Sequence, residues 1–241
     1  MMKKVLKAGL AVTMLSALAA CGGGGTEVDN RPRTASMLID FNKDGVTGWT
    51  GSSSDYTPET APTNVTFEER TLAAPLTGKG YFVGGTNRSD DLFLFVKKQF
   101  PGLKPNAKYN LDFQLKFATN TPSGCVGAGG APGEAVWVYA GATPTEPKAV
   151  TVNNEIRMNI DRGNQGAGGK DAQVIGNIAN GLACGSTAYV SKTVKNDKVQ
   201  TVTADANGSV WIIMGIDSGF EAYSSVTLQS MQIDATPAAA M

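Results

Sequence analysis

Tyr109-Asn110-Leu111-Asp112-Phe113-Gln114-Leu115-Lys116-Phe117 is the stretch that decides the fold. Its odd-numbered positions are apolar or aromatic and its even-numbered positions are polar, and successive side chains of a β-strand point to opposite faces of a sheet. The stretch is therefore predicted to be a strand of an antiparallel sheet that has one buried face and one exposed face.

Short apolar segments bounded by glycine, proline, asparagine or aspartate predict further strands along the chain. They are 37–41, 65–68, 80–83, 92–100, 134–140, 156–160, 189–194, 199–203, 210–214 and 226–233. In the last segment, Val226 and Leu228 share one parity and Met231 and Ile233 the other, which predicts a β-bulge near 229–230. Helical periodicity is weak throughout, and only 170–179 is compatible with one short helix.

Ten or so strands with long polar loops predict an all-β fold, an antiparallel two-sheet β-sandwich over residues 36–235. A disordered tail is expected at 236–241. Two glycine-rich stretches, 121–134 and 161–185, are too long for hairpin turns. Loops of that size usually act as lids or binding loops, so function is expected there.

The composition excludes several chemistries. The 241 residues include 21 Lys and Arg, 21 Asp and Glu, and no histidine. Without imidazole, the usual Ser-His-Asp, Cys-His and histidine-zinc sites are excluded. The basic residues are scattered, so nucleic-acid binding is not expected. Any chain this rich in carboxylates offers pairs for glycoside hydrolysis, and spacing along the sequence does not select one, so an enzyme is not favoured.

Residues 1–20 have the layout of an export signal, with three lysines followed by an apolar run of 13 residues at 8–20. The run is too short to span a bilayer. Its end, Leu18-Ala19-Ala20-Cys21, resembles the lipobox of bacterial lipoproteins. That resemblance implies that Cys21 becomes the first mature residue and carries a diacylglycerol and an acylated amino group. The alternative is an ordinary cleaved signal whose last alanines happen to precede a cysteine.

A lipidated Cys21 places the protein at a membrane. Each buried methylene contributes about 0.8 kcal/mol, so several acyl chains make a durable anchor. Gly22 stands where an aspartate would resemble an inner-membrane retention signal, which favours the outer membrane. Residues 21–35 are glycine-rich and polar and are expected to form a flexible tether. Without residues 1–20 the chain has 18 basic and 21 acidic side chains, which gives no support to binding of anionic lipid.

With Cys21 lipidated, Cys125 and Cys184 remain as a pair in an exported, oxidising setting and are predicted to form a disulfide. The bridge would close a loop of about 60 residues, for which the chain-entropy relation gives on the order of 4 kcal/mol. Two free thiols are the alternative.

Three segments resemble galactose-binding-like jelly rolls, a superfamily that includes many carbohydrate-binding modules. They are Leu38-Ile39-Asp40-Phe41 followed by Gly48-Trp49, then 102–109, and Met231-Gln232-Ile233-Asp234. The resemblance spans 36–235 in outline and implies a jelly roll. The blocks 87–93, 129–134 and 217–221 also resemble a group of bacterial lipoproteins of unassigned function.

Jelly rolls of this kind often hold a structural Ca²⁺ between the exit of the first strand and the last strand. By that resemblance the candidate ligands are Asp40, Asn42, Asp44 and Asp234, whose oxygen atoms suit calcium. The alternative is that 42–45 is simply a turn, which its composition already explains.

Three polar blocks at predicted strand ends combine amides, guanidinium groups and carboxylates. Sugar hydroxyls both donate and accept hydrogen bonds, so such arrays suit a glycan. The candidate ligand-binding residues are Asn87, Arg88, Asp90, Asp91, Asp161, Asn164, Gln165, Asp217 and Glu221, with Trp49, Tyr56, Trp137 or Trp211 as an aromatic platform. The alternative is that these blocks are turns and internal hydrogen-bond networks.

The sequence thus predicts a lipid-anchored cell-envelope protein whose non-catalytic jelly-roll domain binds glycan or another envelope ligand. A structural or assembly lipoprotein that contacts an outer-membrane or secretion partner is the alternative. A carboxylate-dependent hydrolase is the third interpretation.

Overall fold

Strands dominate residues 31–239, the part of the chain that the computed structural model describes. The predicted signal peptide, Cys21 and most of the tether lie outside these residues. In chain order the elements are β1 (Ala35–Asp40), α1 (Phe41–Asp44), β2 (Thr50–Ser54), a 3₁₀ turn (Pro58–Thr60), β3 (Thr63–Thr71), β4 (Lys79–Thr86), β5 (Leu92–Phe100), β6 (Lys108–Thr119), β7 (Val136–Thr143), β8 (Ala149–Val152), β9 (Glu155–Met158), β10 (Gly163–Asn164), β11 (Ala167–Gly168), β12 (Gln173–Asn177), β13 (Val190–Lys195), β14 (Gln200–Thr203), β15 (Val210–Ser218) and β16 (Tyr223–Pro237).

Two antiparallel sheets form the sandwich. The seven-stranded sheet has the order β13-β6-β16-β4-β3, with β1 also paired to β16 and β14 to β6. The five-stranded sheet has the order β12-β7-β15-β5-β2. Two small hairpins, β8–β9 and β10–β11, belong to the connection between β7 and β12. The predicted antiparallel, two-sheet jelly-roll fold is confirmed.

The deciding strand and the predicted bulge are both present. In β6, Leu111, Phe113 and Leu115 are at most 1% exposed, whereas the polar residues between them are exposed. The register of β16 against β6 shifts between Leu228 and Ser230. Before the shift β16 pairs with β4, and after it with β1, so the extra residue turns the strand from one partner to the other.

The short helix considered for 170–179 is wrong. Residues Gln173–Asn177 form β12, which pairs with β7 at the edge of the five-stranded sheet. Weak local propensity is overridden here because the edge of β7 offers a complete set of backbone partners.

The main core lies between the two sheets and includes one of the candidate aromatic platforms. Trp49 is 8% exposed and its ring lies 5.3 Å from that of Phe41 and 5.8 Å from that of Phe100. Trp49 therefore stabilises the core rather than offering a surface to a ligand.

The predicted disulfide between Cys125 and Cys184 is confirmed. It joins the loop after β6 to the loop after β12, with the two Cα atoms 5.2 Å apart. Beside it, the Ser123 amide donates to the Leu182 carbonyl at 2.8 Å. Within residues 31–239 no helix is long and apolar enough to cross a membrane.

Candidate functional site

Several loops meet at one end of the sandwich, which we call the loop end. Leu92 and Val136 both pair with Ser218, so the starts of β5 and β7 lie beside the end of β15. The loops 87–91, 120–135 and 219–222 must therefore emerge together. The glycine-rich and polar blocks of the sequence, which are distant along the chain, meet at this end.

The connection from β7 to β12 lies over the outer face of the five-stranded sheet, which is the face turned away from the main core. Phe93, Phe95, Tyr139 and Ile213 on that face form a second, smaller apolar cluster with Ala172 of the connection. Met158 and Ile160, also from the connection, pack against the same cluster. This packing holds the connection against the outer face of the sheet.

A buried ion-pair network lies beside this cluster. The Arg162 guanidinium donates from Nε and Nη2 to Asp55 Oδ2, at 3.1 and 2.5 Å, and from Nη1 to Asp217 Oδ2 at 2.5 Å. The side chains of Arg162, Asp55 and Asp217 are 3%, 5% and 0% exposed. The guanidinium also lies 4.5 Å from the centre of the Phe93 ring, a cation–π contact. The Arg162 guanidinium therefore joins three segments that are distant in sequence.

Asp91 and Arg157 extend the network toward solvent. Arg157 Nη1 lies 3.2 Å from Asp55 Oδ1 and 3.5 Å from Asp91 Oδ2. Burial raises the pKa of Asp91 to about 7; the carboxylates of Asp217 and Asp55 add to this rise, whereas Arg162 and Arg157 oppose it. Protonation of Asp91 removes one negative charge from a network in which Arg162 already pairs with Asp55 and Asp217, and Arg157 pairs with Asp55 and Glu155.

The raised pKa of Asp91 predicts that stability depends on pH. An ordinary aspartate pKa is 3.8, so the folded protein holds this proton more tightly than the unfolded chain. The stabilisation by Asp91 is therefore full below about pH 4 and is lost as the pH rises toward 7. The chain has no histidine to mask this effect. Burial also raises the pKa of Asp217 in the same network, so we expect Asp91→Asn to reduce the decline between pH 5 and 7 without abolishing it, measured by urea denaturation.

Asp90→Asn is the matched control, because Asp90 is the exposed neighbour in the same turn. The Asp90→Asn variant should show the same decline as the unchanged protein. A decline that persists in full in Asp91→Asn would show that Asp91 is not its source.

Seven of the nine predicted ligand-binding residues lie at the loop end, and four of them, Asp90, Asp91, Gln165 and Asp217, are connected through Gln165 and Arg162. Gln165 joins them, since its backbone amide donates to Asp217 Oδ2 and its Nε2 donates to the Asp90 carbonyl, both at 2.7 Å. The Tyr139 hydroxyl donates to the Gln165 carbonyl at 2.6 Å. Asp217 is fully buried, so its predicted role in ligand contact is replaced by a structural one.

Asn87, Arg88 and Glu221 also lie near this end. Asn87 is 2% exposed and donates to the carbonyls of Ser218 and Phe220 at 2.7 and 3.2 Å, so it closes the loop internally. Arg88 is exposed and donates to the Ala61 carbonyl at 3.0 Å. Glu221 is exposed at the loop end.

Asp161 and Asn164 belong to the β10–β11 hairpin. The Asp161 carboxylate accepts hydrogen bonds from the amides of Gly163 and Lys170 at 3.2 and 3.3 Å. Asn164 is exposed and pairs with Ala167. Asp161 and Asn87 thus act within the protein, as the turn-and-network alternative predicts.

Trp137 is the candidate platform at the loop end. It is half-buried, and a Cβ placed on Gly219 would lie 3.3 Å from its ring and 3.5 Å from Gln165 Nε2. Trp211 lies at the opposite end of the same sheet face, where its ring centre is 5.5 Å from Lys97 Nζ. The Tyr56 hydroxyl accepts a hydrogen bond from Ser53 Oγ at 3.4 Å. Only Trp137, of these three, neighbours Gln165.

The four predicted calcium ligands do not converge. Asp40 caps α1 by accepting from the amides of Asn42 and Lys43. Asp40 pairs with Ser230, whereas Asp234 pairs with Ser36. Four residues along a strand correspond to roughly 13 Å, so Asp234 lies away from the others because the strands pair in this register.

Asn42 and Asp44 have protein partners: Asn42 Oδ1 accepts from the Lys79 amide at 2.9 Å, and Asp44 Oδ2 accepts from the Asp40 amide at 3.3 Å. Between residues 31 and 239, no three or more His, Cys, Asp or Glu are grouped to hold a metal ion. Calcium at Asp40, Asn42 and Asp44 stays a prediction.

The sequence reasoning missed Asp55, Arg157 and Arg162. Asp55 and Arg162 are 107 residues apart, and no local pattern joins them. Arg162 does lie among the candidate residues Asp161, Asn164 and Gln165, but nothing in the sequence distinguishes it from its neighbours. Asp55 has a positive φ of 70°, a backbone feature that only the structure reveals.

The fold and its loop end define this chain as a jelly-roll β-sandwich with a preorganised polar surface at one end. No family model and no curated protein matches the sequence. Among solved structures, the CBM22-1 xylan-binding domain of Paenibacillus barcinonensis Xyn10C is similar with a TM-score of 0.38 and 10% identity, covering 84% of this chain and 95% of that chain. TmCBM27, a carbohydrate-binding module described for mannan recognition, is similar with a TM-score of 0.38 and 12% identity, covering 85% of this chain and 98% of that chain.

The K3 adhesin domain of Lys-gingipain from Porphyromonas gingivalis gives a TM-score of 0.36 and 11% identity, covering 83% of this chain and 98% of that chain. Similarities of this size assign neither a family nor a function to the chain.

Proposed function

We propose that this chain is a non-catalytic glycan-binding protein whose loop end is the binding surface. The observation that supports this is the position of Gln165, which lies near Trp137, donates to the Asp90 carbonyl and is held by Asp217 of the buried Arg162 network. A ligand that meets such a surface does not have to order it first, so less of the interaction energy is lost on binding.

The loop end has the hydrogen-bonding groups that a saccharide needs. Among residues 31–239, no hydrogen bond reaches the Asp90 carboxylate or the side-chain oxygen of Gln165. Both are therefore open to ligand hydroxyls, while the half-exposed Arg157 supplies donors. Trp137 adds an apolar surface at the same end, and sugar rings carry apolar C–H faces as well as hydroxyls.

Burial of Asp217 argues against hydrolysis. A glycosidase pair must flank the scissile bond, but Asp217 is 0% exposed and hydrogen-bonded to Arg162. Of the other acids among the nine candidate residues, Asp90, Asp161 and Glu221 are exposed, and Asp91 lies beside Arg157 and Arg162. This supports a binding role rather than a catalytic one.

Gln165→Asn tests the surface. Asparagine tolerates the positive φ of 46° at this position, but its side chain is one methylene shorter. We expect saccharide binding to weaken by about 2- to 10-fold, the equivalent of one hydrogen bond. A glycan array identifies the saccharide, and calorimetric titration of the variant measures the change.

Gln114→Asn is the matched control, because Gln114 is exposed on β6 of the other sheet. Its affinity should equal that of the unchanged protein. Equal affinities in both variants would place the binding surface elsewhere on the chain.

We also propose that Cys21 is acylated and anchors the protein in the outer membrane. The support is the sequence order of basic start, apolar run, two alanines and cysteine. Mass spectrometry of protein extracted from membranes should find a diacylglycerol on Cys21, and Cys21→Ser should release the protein from the membrane fraction. An unmodified amino-terminal cysteine would contradict this.

A further inference from the structure

A groove of about 420 Å³ lies beside the disulfide. Ser123, Glu134, Asn177, Asn180 and Lys192 line it. None of these residues belongs to the Asp90–Gln165 surface. The groove is thus a second candidate site, formed by the loop after β6, the loop after β12 and the start of β13.

The walls of the groove are fixed by covalent and backbone bonds. The disulfide joins the two loops. The Gly181 amide donates to Ser123 Oγ at 2.9 Å, and the Asn180 amide donates to the Thr121 carbonyl at 2.9 Å. The groove is therefore preorganised in the same sense as the loop end.

The ammonium of Lys192 is fully engaged with protein acceptors. It donates to the Asn177 carbonyl, Asn177 Oδ1 and the Ala179 carbonyl, at 2.8, 2.9 and 2.7 Å. These three bonds use all three hydrogens of the group. Lys192 contributes positive charge to the groove but has no donor left for a ligand.

Glu134 has the opposite property. Its Oε1 accepts from the Gly124 amide at 3.0 Å, whereas Oε2 is buried and has no hydrogen-bond partner in the described part of the chain. A buried carboxylate oxygen without a donor is unfavourable. A ligand that donates a hydrogen bond to Oε2 removes this penalty, which favours binding of that ligand.

The charges select the kind of donor. An anionic ligand is repelled by the Glu134 carboxylate and finds no free donor on Lys192. A cationic ligand is repelled by the Lys192 ammonium. A neutral hydroxyl avoids both repulsions. We infer that the groove is a second saccharide subsite, in which Glu134 Oε2 accepts a hydrogen bond from a ligand hydroxyl. This inference rests on the proposed glycan-binding function.

Calorimetric titration of the full chain with galactose, mannose and xylose oligosaccharides tests the inference. Glu134→Gln replaces the carboxylate by an amide of equal size. We expect it to weaken binding at one of two sites by about 10-fold, as for a hydrogen bond to a charged group, while the site weakened by Gln165→Asn is unaffected. Glu68→Gln, at an exposed glutamate of β3, is the matched control and should change neither site.

The amide resonance of Gly124 gives a second readout in the unchanged protein, so the test does not depend on the variant folding. Because this amide donates to Glu134 Oε1, its chemical shift should move when the saccharide is added. Binding that is unaltered in Glu134→Gln, with no Gly124 shift, overturns the subsite but leaves the loop-end function standing. No saccharide binding to the unchanged chain overturns both.

Discussion

Replacing Arg162 by methionine is expected to lower the free energy of unfolding by about 3–5 kcal/mol. Methionine fills much of the volume of the arginine stem but leaves the carboxylates of Asp55 and Asp217 without their shared cation. Both are buried, so bulk water does not replace the lost cation, and only Asp55 keeps a charged partner, Arg157. Urea denaturation at pH 7 measures the loss directly.

Arg157→Met is the control, because Arg157 pairs with the same Asp55 at 3.2 Å but its side chain is 43% exposed. Partial exposure screens its ion pairs, so the expected loss is about 1 kcal/mol or less. If the two variants lost equal stability, burial of the Arg162 network would not be what holds the loop end.

Loss of the disulfide is the second large effect. The paired change Cys125→Ser and Cys184→Ser is expected to lower the free energy of unfolding by about 4 kcal/mol. The cysteines are 59 residues apart in sequence, and the open chain gains the conformational freedom that this closure removes. The loops on either side have few apolar residues to compensate for the bridge. Chemical denaturation of the oxidised protein and the double variant gives the difference.

Reduction distinguishes the effect of losing the disulfide from the effect of changing the two cysteine side chains to serine. Dithiothreitol should bring the unchanged protein to the stability of the double variant and should leave the double variant unaffected. A loss below about 1 kcal/mol, far under the usual range, would mean that other contacts already order these loops.

The strand pattern predicted most of the fold because it is a local property. The apolar side chains of β6 alternate without interruption, and burial on one face follows directly. The parity change in β16 is also local, so the bulge was predictable to within a residue. At 170–179 the local signal was weak, and pairing with β7, which no short window reveals, decided the structure.

The candidate site was predictable only in part. Strand-end blocks identified Asp90, Asp91 and Gln165, because the loops that leave paired strands at one end must meet. They did not identify Asp55 or Arg162, since a buried ion pair across 107 residues depends on how the β7–β12 connection lies over the sheet. The position of Asp234, away from the other three predicted calcium ligands, depends in the same way on the register of β1 against β16.

The buried network connects the fold to the proposed function. Arg162 holds Asp217, and Asp217 in turn accepts from the Gln165 amide. Asp91 and Arg157 connect the same network to the surface. Loss of Arg162 is therefore expected to disturb the loop-end surface as well as the stability of the protein.

Calorimetric titration of the full chain with neutral oligosaccharides tests the central claim most directly. The account predicts saturable heat at millimolar or lower concentration, which Gln165→Asn reduces and Gln114→Asn leaves unchanged. The absence of saturable heat with every saccharide of a broad panel would contradict glycan binding by this jelly roll.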